Sequence, residues 1–211
     1  MKLLRALPAL AALVLTAAAA AQTPAAARLT AEDRADLRRI EERVNGFRSL
    51  RTRFRQVSPG GEVFRGDIFI QRPGLMRIQF DRRDMVLLTS RLWLIVIQGE
   101  RREPQYFPLN STPAGILVRE RIRFDRDIHV TGIRRTARRI FVTVVRVDAP
   151  RQGQMILIFE RPTLDLAGWT VVDPQNRLTR VTLSETRLDP PLDPMLFSLP
   201  ESHLPPAGNE R

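Results

Sequence analysis

Between residues 62 and 80 the chain reads Glu-Val-Phe-Arg-Gly-Asp-Ile-Phe-Ile-Gln-Arg-Pro-Gly-Leu-Met-Arg-Ile-Gln-Phe, two alternating stretches flanking Arg72-Pro73-Gly74. Side chains that alternate in this way lie on opposite faces of a β-strand, and the pattern excludes the longer period of an amphipathic helix. Phe64, Ile68 and Ile70 share one face of the first arm, with Arg65, Asp67 and Gln71 on the other. In the second arm Met76, Ile78 and Phe80 oppose Arg77, Gln79 and Asp81. Proline presets φ and glycine accepts a positive φ, so Pro73-Gly74 supplies the reversal. A hairpin with one apolar face needs something to cover that face.

Further strands are expected at short intervals. They fall at about 50–57, 62–71, 75–81, 84–89, 92–98, 104–109, 127–133, 139–147, 154–160, 166–173 and 177–187, separated by turn signals such as Pro59-Gly60-Gly61 and Asp173-Pro174-Gln175-Asn176. Ahead of them, Thr30 with Glu32 and Asp33 predicts a capped helix start, Leu37, Ile40, Val44 and Phe47 keep helical spacing, and Asn45-Gly46 predicts its stop. Within 111–120, Thr112 as cap and Pro113 at the first helical position predict a turn or two of helix. Many strands, few helices and no βαβ alternation predict a mainly β chain: a curved antiparallel sheet or incomplete barrel with helices over its concave face.

Residues 1–21 carry Lys2 and Arg5, then an apolar run of leucine, alanine and valine ending in Ala19-Ala20-Ala21. That is the pattern of a cleaved export leader, too short in its apolar part to span a bilayer. The reading divides the chain into a leader at 1–21, a spacer at 22–28, one domain over 29–204 and a disordered tail at 205–211. No cysteine occurs anywhere, which excludes disulfides and a lipid anchor on a cysteine. The formal charge is +11 over the 211 residues, and Lys2 is the only lysine. Arginines at alternate strand positions with little aromatic interleaving fit a solvated outer face rather than a nucleic-acid surface.

The chain offers no recognisable catalytic constellation. It has no thiol, phosphate-binding glycine loop or Gly-x-Ser-x-Gly elbow, and its histidines are His129 and His203 alone. Asp127 and His129 fall on one side of a strand, the one pairing that acid–base chemistry could use. Two such groups make no metal site, and neither an enzyme nor a cofactor is expected. The apolar positions Phe54, Phe64, Ile68, Ile70, Met76, Ile78 and Phe80, with the runs 92–97 and 155–159, form either a packed core or one broad lipid-binding surface.

The chain resembles the outer-membrane lipoprotein carrier proteins, the LolA-like family. The resemblance rests on Phe54-Arg55-Gln56, Gly66-Asp67-Ile68-Phe69-Ile70-Gln71-Arg72-Pro73-Gly74, Leu92-Trp93, Thr112-Pro113 before Leu117, Trp169 to Gln175, and Pro191 to Phe197. It implies an unclosed β-barrel with a helical lid over a hydrophobic cavity lined by Phe54, Phe64, Ile68, Ile70, Met76, Ile78, Phe80, Leu94 and Ile116. It implies a monomer in the periplasm that shields lipoprotein acyl chains, receives its cargo from an inner-membrane ABC-type release complex and yields it to an outer-membrane receptor lipoprotein. Arg72 matches the family arginine that latches the lid, here through the carbonyls of Leu117 and Val118. The chain departs from the pattern at Thr89-Ser90-Arg91, where an Asp-Gly turn is usual, and at Asn176, where glycine is usual. A related lipid or glycolipid shuttle, or a lipid-sensing module, is the alternative reading.

Overall fold

The computed structural model describes residues 28–90, 92–98, 104–112, 114–124, 128–146 and 153–198. The predicted leader, Asp127, His203 and the predicted tail lie outside the described residues. Helix α1 (Ala31–Asn45) opens the fold. Thr30 and Asp33 form a reciprocal capping box, satisfying two of the helix's orphan amides. Gly46 ends the helix as expected, and Leu37, Ile40 and Val44 form its buried stripe.

Eleven strands follow, each within two residues of its expected bounds: β1 (Ser49–Val57), β2 (Val63–Gln71), β3 (Leu75–Phe80), β4 (Met85–Ser90), β5 (Trp93–Gln98), β6 (Pro104–Pro108), β7 (Ile128–Arg135), β8 (Arg139–Arg146), β9 (Gln154–Glu160), β10 (Leu166–Val172) and β11 (Leu178–Leu188). They form a single antiparallel sheet in the order β6-β5-β4-β3-β2-β1-β11-β10-β9-β8-β7. Strands consecutive in sequence therefore pair with one another except β6 and β7, β11 returns to pair with β1, and the sheet stays open between β6 and β7. Bulges between Arg51 and Arg53, between Val130 and Gly132, and between Leu166 and Gly168 interrupt the ladder. Such bulges bend strands and increase local twist, which an eleven-stranded sheet needs in order to curl.

The connection from β6 to β7 spans the open seam and carries a 3-10 turn (Leu109–Ser111) and the four-residue helix α2 (Ala114–Leu117). The expected helical turn is therefore present, and its apolar residues Ile116, Leu117 and Val118 join α1 and the inner faces of the strands in one core. Gly115 is required there, since a Cβ would lie 2.4 Å from the Leu109 carbonyl oxygen. Gly66 has a comparable role in the hairpin, where a Cβ would approach the Gln79 carbonyl oxygen to 1.9 Å. After β11 the chain makes a 3-10 turn at Pro194–Phe197, begun by Asp193 accepting from the Met195 amide. This turn packs against β3, where Arg77 Nη1 donates to the Leu196 carbonyl at 3.1 Å.

Candidate functional site

The alternation read in the hairpin places Ile68, Ile70 and Met76 at 2 %, 5 % and 1 % exposure, facing inward. Phe54, Leu94 and Ile116 are also buried in this core, and Ile78 and Phe80 are half-buried against it. Phe54 and Phe80 meet edge to face at 5.3 Å between ring centroids. Phe64, near the start of β2 opposite Gln56, meets Phe80 edge to face at 6.3 Å and is half-buried beneath the Arg83 guanidinium, 4.0 Å from its ring centroid. The apolar run 92–97 does not line a single surface. Leu92 and Trp93 are exposed, and Ile95 turns to the opposite face from Leu94, as strand alternation requires.

Arg72 sits in the turn between β2 and β3 and is 7 % exposed. Its Nε donates to the Leu117 carbonyl at 3.2 Å, and its Nη1 donates to the Val44 carbonyl. The guanidinium also stacks over Phe47, 4.5 Å from the ring centroid. One side chain thus joins the sheet, the end of α1 and the end of α2. The expected pairing with Val118 is not made: the Val118 carbonyl accepts from the Gly74 amide at 2.8 Å, because the turn's backbone reaches it first. Val44, in its place, was hidden from sequence reasoning, since any residue supplies a carbonyl. Burial pushes the Arg72 pKa down to about 10. A guanidinium facing carbonyls without a neutralising carboxylate is costly to desolvate.

Thr89 braces this turn. It is fully buried, its hydroxyl accepts from the Met76 amide at 2.7 Å and donates to the Gly74 carbonyl at 2.7 Å. Thr89, the first position of the departure at Thr89-Ser90-Arg91, lies in β4 and supports the turn that carries Arg72. Its only sequence signal is a β-branched hydroxyl at an inward-alternating position. Asn176, the other departure, adopts φ 60°, the left-handed conformation that a glycine would supply.

The lid halves are tied to each other as well as to Arg72. The Asn45 side chain donates to the Ile122 carbonyl at 3.0 Å and accepts from its amide at 2.9 Å. Glu41 accepts from the Phe124 amide at 2.7 Å. Towards the other end of α1, Arg135 on β7 bridges Asp33 at 2.8 Å and Asp36 at 2.7 Å. Among the described residues no three histidine or carboxylate groups converge on a metal-sized site, and His129 is exposed on β7. No helix among them is long and apolar enough to cross a membrane.

An open eleven-stranded sheet whose seam is crossed by its own short helix defines a lidded half-barrel built around an apolar interior. Residues 45–200 match the family described as outer membrane lipoprotein carrier protein LolA, and the chain belongs to that family. Among solved structures, an uncharacterised conserved protein of Thermus thermophilus is similar at 10% identity and TM-score 0.51, over 79% of this chain and 96% of that one. A DUF1329 family protein of Desulfovibrio piger is similar at 13% identity and TM-score 0.50, over 77% and 95% of the two chains. A LolA superfamily protein of Nitrosomonas europaea aligns at 10% identity and TM-score 0.45, over 77% and 97%. These likenesses concern the fold. No curated protein sequence matches the chain significantly.

Proposed function

We propose that this protein is a periplasmic carrier that holds the acyl chains of lipoproteins between its sheet and its lid. It takes them from an inner-membrane ABC-type release complex and yields them to an outer-membrane receptor lipoprotein. The observation that carries the reading is that a continuous apolar interior is covered by elements held to the hairpin turn through Arg72 and the backbone bond from Gly74 to Val118. Family membership and the leader-like residues 1–21 support it. No bond to the cargo is made or broken.

The energetics are compatible with exchange of lid for lipid. Burial of Leu37, Ile40 and Val44 contributes about 5–9 kcal/mol, at roughly 1.5–3 kcal/mol per side chain. Each acyl methylene contributes about 0.8 kcal/mol, so roughly six to eleven methylenes replace the α1 stripe. An acyl chain of ordinary length therefore matches the contact it displaces, which makes loading reversible. The test is native mass spectrometry of the protein mixed with vesicles that carry a triacylated lipoprotein and its release complex. A soluble one-to-one complex is the expected result. Protein that stays lipid-free would overturn the reading, and an adduct with the mass of a phospholipid or glycolipid would assign the related shuttle or sensing role instead.

A further inference from the structure

The turn that carries Arg72 also borders a surface recess of about 140 Å³, walled by Phe47, Arg48, Pro73, Glu120 and Arg121. Nε and Nη1 of Arg72 face the Leu117 and Val44 carbonyls. Among the described residues no acceptor meets Nη2 and no carboxylate pairs with this guanidinium. Arg72 itself lines the recess. Arg48 and Arg121 are exposed; the Arg48 charge acts on the Asp189 carboxylate, and Arg121 makes no side-chain hydrogen bond or ion pair among the described residues. Three arginines and one carboxylate residue, Glu120, therefore line a single small opening.

We propose that this recess binds a small oxyanion of the phosphate class, with Arg72 Nη2, Arg48 and Arg121 as its donors. A buried cation whose partners are neutral carbonyls gains most from an anion, and planar guanidinium forks match the oxygens of a tetrahedral oxyanion. Phe47 beneath the Arg72 guanidinium fixes its plane. At ~30 Å³ per water, the recess has the volume of about four or five water molecules, enough for one such ion. The chemistry fits a free phosphate ion or a phosphodiester headgroup. Because the same guanidinium grips both lid halves, a bound anion bears directly on the latch; this consequence rests on the carrier reading, whereas the anion site does not.

The test is calorimetric titration of the purified protein with inorganic phosphate and, separately, with glycerophosphoglycerol, both at constant ionic strength. Saturable one-to-one binding is expected, weakened about tenfold by Arg48→Gln and by Arg121→Gln and unchanged by Arg55→Gln, another exposed arginine. Tighter binding of the phosphodiester identifies a lipid headgroup as the source, and tighter binding of inorganic phosphate identifies the free ion. Absence of saturable binding to either probe overturns the proposal, as does binding that the recess variants and Arg55→Gln affect equally. All three positions are exposed, so circular dichroism is expected to show unchanged folding. Neither probe carries an acyl chain, so a failed titration leaves the lipoprotein-loading result standing, and failed loading leaves the titration standing.

Discussion

At the scale of single residues, Arg72 and Thr89 act on one turn by different means. Arg72→Leu removes a buried cation together with its bonds to Val44 and Leu117, while the sheet register around it depends on backbone pairing. Removing the cation also removes its desolvation cost, which offsets part of the loss of these two bonds. The far-UV spectrum is therefore expected to stay native, whereas amide exchange over 117–121 accelerates about tenfold, the equivalent of one lost hydrogen bond to a charged donor. In a transfer assay the same variant is expected to retain lipid that the parent protein unloads; unchanged unloading would remove the latch role. Thr89→Val keeps the shape and deletes the hydroxyl that serves Met76 and Gly74. Two buried backbone groups lose their partner, so denaturant unfolding should show a loss of about 1–3 kcal/mol.

At the scale of elements, the start of α1 and the end of β11 are held by carboxylates whose pKa values the fold depresses. Asp189 accepts from the amides of Arg48 at 2.7 Å and Ser49 at 3.1 Å, and these bonds hold its pKa below the ordinary 3.8. Asp33 is lowered first by its backbone bond from Thr30 and then by the Thr30 hydroxyl. A depressed folded pKa stabilises the fold above the unfolded value, and that contribution is lost as pH falls through the folded one. The melting temperature is thus expected to be level above about pH 4 and to fall below it from these groups. Asp189→Asn should lower the plateau and shrink the acid-side drop; an acid limb of unaltered size in that variant would show that Asp189 does not contribute to it. The cap on α1 was legible, because Thr30 and Asp33 stand three residues apart just before an apolar stripe. The Asp189 clip joins residues about 140 apart, and only the β1–β11 pairing brings them together.

At the scale of the whole molecule, the apolar face is both a core and, under the carrier reading, a cargo surface, and two substitutions separate these roles. Met76 is 1 % exposed, so Met76→Asp buries a charge without a partner and should cost several kcal/mol of stability. Ile78, half-buried beside it, can turn a carboxylate towards water, so Ile78→Asp should keep a native melt within about 1–2 kcal/mol while abolishing acyl loading. A stable Ile78→Asp protein that still loads would place the cargo elsewhere. The sequence alone determined which segments become strands, which face of each is apolar and where α1 begins and ends, because alternation, turn residues and caps are local properties of a few consecutive side chains. Tertiary structure decided the rest. The opening of the sheet between β6 and β7, the choice of Val44 rather than Val118 as the second partner of Arg72, the outward placement of Leu92 and Trp93, and the meeting of Arg48, Arg72 and Arg121 around one recess all join distant parts of the chain. Their partners are backbone carbonyls and surface arginines that carry no distinguishing pattern until the sheet curls and the lid settles on it.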